Sequence, residues 1–177
     1  MKKPFVCIIT GPCGSGKSTI AEELAEETKK SGYIDVDYLR DMIKNGRANP
    51  CIYTGESKKQ VDLATRNSLD LTLNFLKKGF NVFIDDVLER KQQMIDYSKG
   101  LKNYRIHIFL LLPNKKVLAK RDSQRKKEDV MGERALELHD IFTKKVDKKG
   151  WYVLDTSNHT IEQTKNEIMN IIKKKIK

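Results

Sequence analysis

The sequence predicts an α/β fold, a three-layer sandwich in which a five-stranded parallel sheet lies between two layers of helices. Two patterns lead to this prediction. Short apolar runs of strand length alternate five times with longer segments whose apolar residues recur at helical spacing. The first of these runs, residues 5–10, is apolar throughout, which is typical of a strand that helices cover on both faces. Since the chain has 177 residues, we expect one domain spanning residues 1–177.

The first half of the chain alternates cleanly, because glycines interrupt each apolar pattern. The run "FVCIIT" ends at Gly11, and the helix after it keeps Ile20 and Leu24 on one face. A short strand and a short helix ending at Gly46 come next, followed by a long amphipathic helix that stops at Gly79. The predicted elements of this half are strands 5–10 and 33–36 and helices 17–30, 37–46 and 58–78.

The second half repeats the alternation with three more apolar runs. The run "FNVFI" is closed by two aspartates, and "YRIHIFLLL" is the longest strand candidate. Between the fourth and fifth strands lies the charged stretch "SQRKKEDVMG", which we expect to form a mobile flap. The predicted elements of this half are strands 80–84, 104–112 and 151–155 and helices 89–101, 114–122, 133–145 and 160–176.

The composition is that of a basic globular protein with a net charge of +11 and a pI near 9.5. Such a balance favours polyanionic partners such as nucleotides, RNA or DNA. The alternative is a lysine-rich composition without a binding role, because many lysines lie on helix surfaces and in the tail "KKKIK".

Cysteine usage and hydropathy place the chain in a reducing, cytoplasmic environment. Cys7, Cys13 and Cys51 form neither a CxxC pair nor a zinc-site spacing, so we expect no disulfide framework and no zinc site. The start "MKKPFVCIIT" has an apolar run too short for an export signal, and we interpret it as the first strand. No apolar run approaches the roughly 18 residues that a membrane span requires.

The stretch "GPCGSGKST" satisfies the phosphate-binding P-loop (Walker A) pattern, Gly11 through Gly16, Lys17 and Ser18, between a strand and a helix. Its glycines let successive backbone N–H groups turn inward, and the helix N-terminus adds positive charge. Lys17 is expected to reach the β- and γ-phosphates, Ser18 to bind Mg²⁺, and Thr19 to contact the α-phosphate. We interpret Cys13 as a small filler, not a reactive thiol. The predicted nucleotide contacts of this loop are Gly11, Pro12, Cys13, Gly14, Ser15, Gly16, Lys17, Ser18 and Thr19.

The strand "NVFIDD" has the Walker B pattern, an apolar strand that ends in carboxylates. A carboxylate at this position lies across from the P-loop hydroxyl and holds a water of the metal ion. We therefore predict Ser18, Asp85 and Asp86 as metal-site residues and rank Asp85 first, because it is the first polar residue after the run.

Among P-loop proteins, the sequence excludes GTPases and motor ATPases and so favours a kinase. The stretch "NKKV" lacks the Asp of the guanine-reading NKxD motif, and motor ATPases are far longer. A kinase needs a base, and Asp37 is the candidate because it follows the second strand at the entry to a helix. Arg40 shares its helix face and would bind the acceptor. Asp35 is expected to point the other way. The alternative is that Asp37 only caps the helix and Arg40 lies at the surface.

Three arginines bracket the charged stretch that we predict as a lid over residues 122–134. Arg125 and Arg134 would cover the transferring phosphoryl group, and Arg121 would bind the nucleotide, where stacking on adenine is one role open to it. A closed lid excludes water, so phosphate passes to the acceptor. The alternative is a solvated charge run. The loop "DTSNHT" after the last strand could pass near the adenine, although His159 could equally be an ordinary surface residue.

With these motifs the chain resembles the small P-loop kinases of the adenylate-kinase-like superfamily. That group includes chloramphenicol phosphotransferase, gluconate and shikimate kinases, zeta-toxin-like kinases and polynucleotide kinase domains. The resemblance rests on "GPCGSGKST", "DVDYLRDMI", "NVFIDD" and "RDSQRKKEDVMGER", which together span nearly the whole chain. It implies the P-loop NTPase fold with strand order 2-3-1-4-5 and in-line transfer of the γ-phosphoryl group of ATP with Mg²⁺.

The acceptor is less well defined by the resemblance. Asp37, Tyr38 and Arg40 match in kind the Asp–Tyr–Arg element of polynucleotide kinases, but Leu39 is inserted. After the third strand the chain has "DDVL" in place of an Asp-Thr-Asn-like ending, in a region that lines the acceptor pocket. We expect the acceptor-binding region at about residues 37–79.

Three functions therefore stay open. The first is a kinase that phosphorylates a hydroxyl of a small molecule. The second is a 5′-hydroxyl polynucleotide kinase, which the basic charge supports, although Tyr53 is the main base-stacking candidate in the acceptor region. The third is a nucleotide-binding regulatory or toxin-like module with little turnover.

Overall fold

The protein is described here by a computed structural model that covers residues 3–176. Five parallel strands form one sheet in the order β2-β3-β1-β4-β5, which confirms the predicted α/β sandwich and its strand order. The strands are β1 (Phe5–Thr10), β2 (Ser31–Asp35), β3 (Asn81–Asp85), β4 (Arg105–Leu111) and β5 (Tyr152–Leu154). The helices are α1 (Lys17–Glu27), α2 (Val36–Asp41), α3 (Gly55–Lys77), α4 (Lys91–Gly100), α5 (Lys115–Ser123), α6 (Glu133–Lys144) and α7 (Ile161–Ile176), with a 3-10 turn at Lys127–Asp129.

The continuous apolar runs reflect a sheet that is covered on both faces. Along β1, Cys7 and Ile9 pack toward α1 and α7, whereas Val6 and Ile8 pack toward α3 and α4. All four side chains are fully buried. Since successive side chains of a strand point to opposite faces, both sets of positions must be apolar in this sheet.

Some element boundaries differ from the sequence prediction because side chains cap the ends. The helix predicted over 17–30 ends at Glu27, since the Ser31 hydroxyl donates to the carbonyls of Ala25 and Thr28 and turns the chain into β2. The helix predicted over 58–78 begins at Gly55, because Thr54 and Ser57 form a reciprocal capping box.

The helix predicted over 37–46 is also shorter than expected and begins before Asp37. Here α2 runs from Val36 to Asp41, and Asp35 is its N-cap, with its carboxylate accepting a hydrogen bond from the Tyr38 N–H (3.1 Å). Asp37 therefore lies in the first turn and does not cap the helix.

The carboxyl ends of the parallel strands gather the predicted site residues at one edge of the sheet. Gly11 follows β1, Asp35 ends β2, Asp85 ends β3 and Thr156 follows β5. Loops at this edge are where ligands bind in open α/β sheets. Within residues 3–176, none of the helices carries an apolar stretch long enough to cross a bilayer.

Candidate active site

The loop between β1 and α1 is held in a shape that two glycines make possible. Gly14 has φ +82°, and a Cβ there would lie 3.1 Å from the Cβ of Asp122. A Cβ on Gly11 would approach the carbonyl oxygen of Leu111 to 2.5 Å. The Ser15 N–H donates to the carbonyl of Pro12 (3.1 Å), and α1 begins immediately afterwards at Lys17. The loop therefore wraps a helix N-terminus, the geometry of a phosphate site.

Lys17 and Asp85 form a buried charge pair at the base of this loop, with Nζ 4.0 Å from Oδ1. Burial lowers the pKa of Lys17, but the nearby carboxylates raise it, mainly that of Asp85, and the net shift is upward. The ammonium therefore stays charged. Burial raises the pKa of Asp85, and Lys17 and the Ser18 hydroxyl counteract the rise.

Asp85 also has the free oxygen that a metal site needs. Its Oδ1 is buried and accepts no hydrogen bond from the described residues. No cluster of three metal-ligating side chains occurs within the described part of the chain. Ser18 and Asp85 thus fit a Mg²⁺ ion whose other ligands are phosphate oxygens and water, the usual arrangement for this ion.

Asp86 lines the same cavity as Lys17 and Asp85, but its carboxylate is hydrogen-bonded to side chains of α4. Its carboxylate accepts hydrogen bonds from Gln93 Nε2 (3.3 Å) and the Tyr97 hydroxyl (3.1 Å). The Tyr97 hydroxyl in turn lies 3.1 Å from Ser68 Oγ. Burial, followed by repulsion from Asp37, raises the pKa of Asp86 to about 7. The free oxygen of Asp85 favours this residue for the metal, and the metal role of Asp86 stays a prediction.

This buried carboxyl makes the stability of the protein depend on pH. Between about pH 3.8 and about pH 7 the folded protein holds a proton on Asp86 that the unfolded chain releases. Stability should therefore fall as pH rises through this window, with a slope of at most about 1.4 kcal/mol per pH unit. Asp86→Asn should remove this contribution.

The measurement is urea unfolding of both proteins at pH 5, 6, 7 and 8. Relative to Asp86→Asn, the native protein should lose stability steadily between pH 5 and 7 and then level off. Asp96→Asn removes the charge of a surface carboxylate that accepts a hydrogen bond from Gln92 within α4. This control should leave the slope of stability against pH unchanged. A native protein that tracks Asp86→Asn at every pH would show that Asp86 is ionised throughout.

A cavity of about 420 Å³ lies over the P-loop and has the contacts expected for a nucleotide. It is lined by the loop from Gly14 to Thr19 and by residues after β5, including Thr156 and His159. Arg121 reaches into its wall and donates from Nη2 to the carbonyl of Thr156 (2.9 Å). The stretch "DTSNHT" therefore does border this cavity.

A second cavity of about 500 Å³ lies on the other side of Lys17 and contains Asp37 and Arg40. Arg40 Nη2 lies 3.2 Å from Asp37 Oδ1; the arginine side chain is 13% exposed and the aspartate 62%. Cys13 lines this cavity too, and burial raises the pKa of its thiol, which fits the interpretation as a filler. Asp35 was expected to point elsewhere, but it lines the same cavity because α2 begins directly after it.

The two cavities meet at three side chains. Lys17, Ser18 and Arg125 line both of them. A group bound in one cavity can therefore approach a group bound in the other at the P-loop lysine. This is the geometry needed to bring two reactants together without a shared covalent intermediate.

Asp122 anchors the segment that carries the predicted lid arginines, and the sequence analysis missed its role. This buried carboxylate accepts hydrogen bonds from the N–H groups of Met131 (3.0 Å) and Gly132 (2.8 Å), and Arg125 Nη1 lies 3.5 Å from it. Its Cβ also packs under Gly14. One side chain thus ties the base of the segment to the P-loop, a contact between residues too distant in sequence to leave a pattern.

Arg134, the last of the three arginines, also has a partner that sequence reasoning missed. Glu89 binds Arg134 Nη2 with both carboxylate oxygens at 2.8 Å, and both residues line the second cavity. Glu89 lies in the loop between β3 and α4, beside the Walker B strand. This charge-assisted contact holds Arg134 in the cavity wall.

Asp122→Ala should destabilise the protein because it removes the acceptor of two backbone N–H groups and the partner of Arg125. Hydrogen bonds to a charged group contribute about 1.5–3 kcal/mol each. Since Met131 is half-buried and Gly132 is exposed, water replaces part of this loss, and the free energy of unfolding should fall by about 2 kcal/mol. Urea unfolding measures the loss, and limited proteolysis should cut between residues 123 and 132 faster in the variant. Asp129→Ala, an exposed carboxylate of the same segment, should change neither. Equal stability of the two variants would show that Asp122 does not anchor the segment.

Comparison with known proteins agrees with this arrangement. A family model described as an AAA domain (AAA_33) matches residues 6–144, more than half of the chain. No curated protein matches the sequence at a significant level.

Solved structures share the fold along almost the whole chain. A sugar kinase from Janibacter sp. HTCC2649 superposes with a TM-score of 0.70 at 16% identity, over 96% of this chain and 95% of the other. A gluconokinase from Sinorhizobium meliloti 1021 superposes with a TM-score of 0.70 at 15% identity, over 96% of this chain and 92% of the gluconokinase. The tunicamycin resistance protein of Deinococcus radiodurans superposes with a TM-score of 0.70 at 15% identity, over 96% of this chain and 95% of that protein. The chain therefore belongs to the AAA_33 family of AAA domains and has a small P-loop kinase-like fold.

Proposed function

We propose that the protein is an ATP-dependent phosphotransferase that moves the γ-phosphoryl group of ATP to a hydroxyl of a small molecule. The observation that carries this proposal is the meeting of two cavities at Lys17, Ser18 and Arg125. A protein that only hydrolyses or senses nucleotide needs the first cavity alone. The second cavity, with a carboxylate and several guanidinium groups, has the size and polarity of an acceptor site.

The donor half of the reaction uses the P-loop. Its backbone N–H groups and the N-terminus of α1 would hold the phosphates, and Lys17 would neutralise the oxygens of the transferring group. Ser18 and Asp85 would hold Mg²⁺, which supplies further positive charge to the phosphates when bound. Arg121 would fix the nucleotide from the opposite wall of the donor cavity.

The acceptor half uses Asp37 as the base. The acceptor hydroxyl loses its proton to this carboxylate while its oxygen forms a bond to the γ-phosphorus and the bond to the β-phosphate oxygen breaks, which releases ADP. Arg40 holds the Asp37 carboxylate from one side (3.2 Å) and would bind another oxygen of the acceptor. This geometry pre-positions the base before the acceptor arrives.

The segment 122–134 would act as the lid. Arg125 borders both cavities, so it can follow the phosphoryl group from donor to acceptor. Arg134, held by Glu89, would cover the acceptor side of the same group. Closure over bound ATP would keep water from competing with the acceptor hydroxyl.

The acceptor cavity suits a hydroxyl-rich molecule. Its walls combine carboxylates that accept hydrogen bonds with guanidinium groups that donate them; Asp41 and Arg47, for example, form an ion pair there. The similarity of fold to a sugar kinase and a gluconokinase supports the same class of acceptor.

An acceptor screen with [γ-³²P]ATP tests this proposal. The panel contains sugars, sugar acids, nucleosides, aminoglycoside and phenicol antibiotics, and oligonucleotides with a free 5′-hydroxyl. Label transferred to a small alcohol supports the proposal. Transfer to oligonucleotide 5′-ends alone would replace it with the polynucleotide kinase alternative. Tight ATP binding with transfer to none of them would favour the regulatory module.

A further inference from the structure

A third cavity, of about 520 Å³, lies outside both halves of the proposed active site. We call it the lysine groove. Helix α4 forms one wall with Lys91 and Lys99, and the segment after α6 forms the other with Lys145 and Lys149. Trp151 lies between these walls. None of the roles described so far uses these residues.

The charge of the groove is not balanced by its own carboxylates. Within residues 3–176, none of its four lysines forms an ion pair. Of the two carboxylates in its lining, Glu89 is bound by Arg134, and Asp147 accepts from the Lys149 N–H (3.0 Å). In the acceptor cavity, by comparison, Arg40 and Arg134 are each paired with a carboxylate.

Neighbouring Lys148 differs from these lysines because its ammonium group has partners within the fold. Its Nζ donates to the carbonyls of Phe142 (2.7 Å) and Val146 (3.1 Å), so it stabilises the end of α6. The lysines on either side of this segment have no such task and project their ammonium groups around a concave surface. Concentrated positive charge of this kind attracts polyanions.

The floor of the groove offers an aromatic surface. Trp151 is the one tryptophan of the chain. Its half-buried ring packs against two of the hydrophobic clusters, which holds the side chain. Its backbone N–H donates to the carbonyl of Lys148 (3.0 Å), which holds the main chain at this point. Partly buried Met94 lines the same groove. A rigid aromatic ring among lysines is how proteins bind single-stranded nucleic acid, because bases stack on the ring while phosphates meet the cations.

The groove adjoins the acceptor cavity. Glu89 and Arg90 line both. The guanidinium of Arg90 lies over the ring of Tyr53, 5.2 Å from its centroid, and its Nη1 is buried without a hydrogen-bond partner among the described residues. Positive charge therefore continues from the groove to the rim of the acceptor cavity.

From the unpaired lysines and the fixed tryptophan, we propose that the lysine groove binds a short segment of single-stranded nucleic acid. The phosphates contact Lys91, Lys99, Lys145 and Lys149, and one base packs on Trp151. This binding does not depend on the proposed phosphotransfer, because it needs neither ATP nor Asp37.

The single tryptophan provides the test. Eight-nucleotide RNA and DNA strands are titrated into the full chain without ATP while Trp151 fluorescence is recorded. Stacking should quench the fluorescence in a saturable way. If about four phosphates are neutralised, log K against log salt should have a slope near −3. Lys99→Glu with Lys149→Glu should weaken binding at least tenfold.

A matched control separates the groove from the overall charge. Lys29→Glu with Lys78→Glu makes the same change in net charge at exposed positions that do not line the groove, just before β2 and β3, and should leave affinity within about twofold. Circular dichroism and urea unfolding establish that both variants are folded, and the single variant Lys149→Glu provides a milder second measurement.

Three results would overturn the proposal. They are an absence of quenching, equal loss of affinity in both double variants, and equal quenching by mononucleotides or by anionic phospholipid vesicles. The Asp37→Asn protein should bind the oligonucleotide as the native protein does. The nucleic-acid proposal can therefore be wrong while the phosphotransfer proposal is right, and the phosphotransfer proposal can be wrong while the nucleic-acid proposal is right.

Discussion

Lys17→Met is expected to abolish phosphoryl transfer, lowering kcat about a thousandfold. The ammonium is buried, carries its full charge and lies where the donor and acceptor cavities meet. A charge placed in advance at the transferring group acts in a water-poor site, where removing one such contact costs about a hundredfold to a thousandfold. The measurement is the single-turnover rate of label transfer from [γ-³²P]ATP at saturating ATP.

The control for this variant is Lys77→Met, which removes an exposed lysine in the last turn of α3 and should leave the rate unchanged. Because Lys17→Met also leaves Asp85 without its cation, Lys17→Arg is measured beside it to separate charge from geometry. Lys17→Arg should restore stability toward the native value but little activity, because a guanidinium cannot take the place of the ammonium in the loop. A Lys17→Met protein with native transfer rates would remove the P-loop lysine from the mechanism.

Asp37→Asn is expected to lower the transfer rate by about a hundredfold to ten-thousandfold and to leave ATP affinity unchanged. The amide keeps the size and most hydrogen bonds of the carboxylate but cannot accept the acceptor's proton, and general-base catalysis contributes this range. ATP binds in the other cavity, so its affinity depends on Lys17 and the loop. Transfer is measured by label and ATP affinity by calorimetry.

Asp70→Asn is the matched control, because it neutralises an exposed carboxylate of α3 and should alter neither quantity. Asp35→Asn is informative in another way. Asp35 lines the same cavity but is engaged as the N-cap of α2, a role that Asn also fills, so this replacement should change neither stability nor rate appreciably. If Asp35→Asn lost transfer and Asp37→Asn did not, the base would be Asp35.

The sequence predicts the fold well because the signals are local. The central strand β1 is a continuous apolar run, and Gly11, Gly16 and Lys17 form a pattern that depends only on neighbouring residues. The strand order came from the family resemblance, and the sheet confirms it. Errors at element ends, as at Ser31 and Asp35, arise where one side chain caps a helix and shifts the boundary by a few residues.

The site is less predictable because its contacts join distant segments. Asp122 binds Met131 and packs under Gly14, and Glu89 fixes Arg134, but neither contact has a sequence period or spacing. The choice between adjacent Asp85 and Asp86 also required the fold. Side chains alternate across a strand end, so one carboxylate meets Lys17 and its neighbour turns toward Tyr97.

The most direct test of the account follows the γ-phosphate itself. In a single turnover with [γ-³²P]ATP and an acceptor from the screen, the label is divided among remaining ATP, phosphorylated acceptor and inorganic phosphate, for the native protein and for Asp37→Asn. The account predicts that the native protein delivers most of the label to the acceptor and that Asp37→Asn retains it in bound ATP. Release as inorganic phosphate alone, or equal acceptor labelling by both proteins, would contradict it.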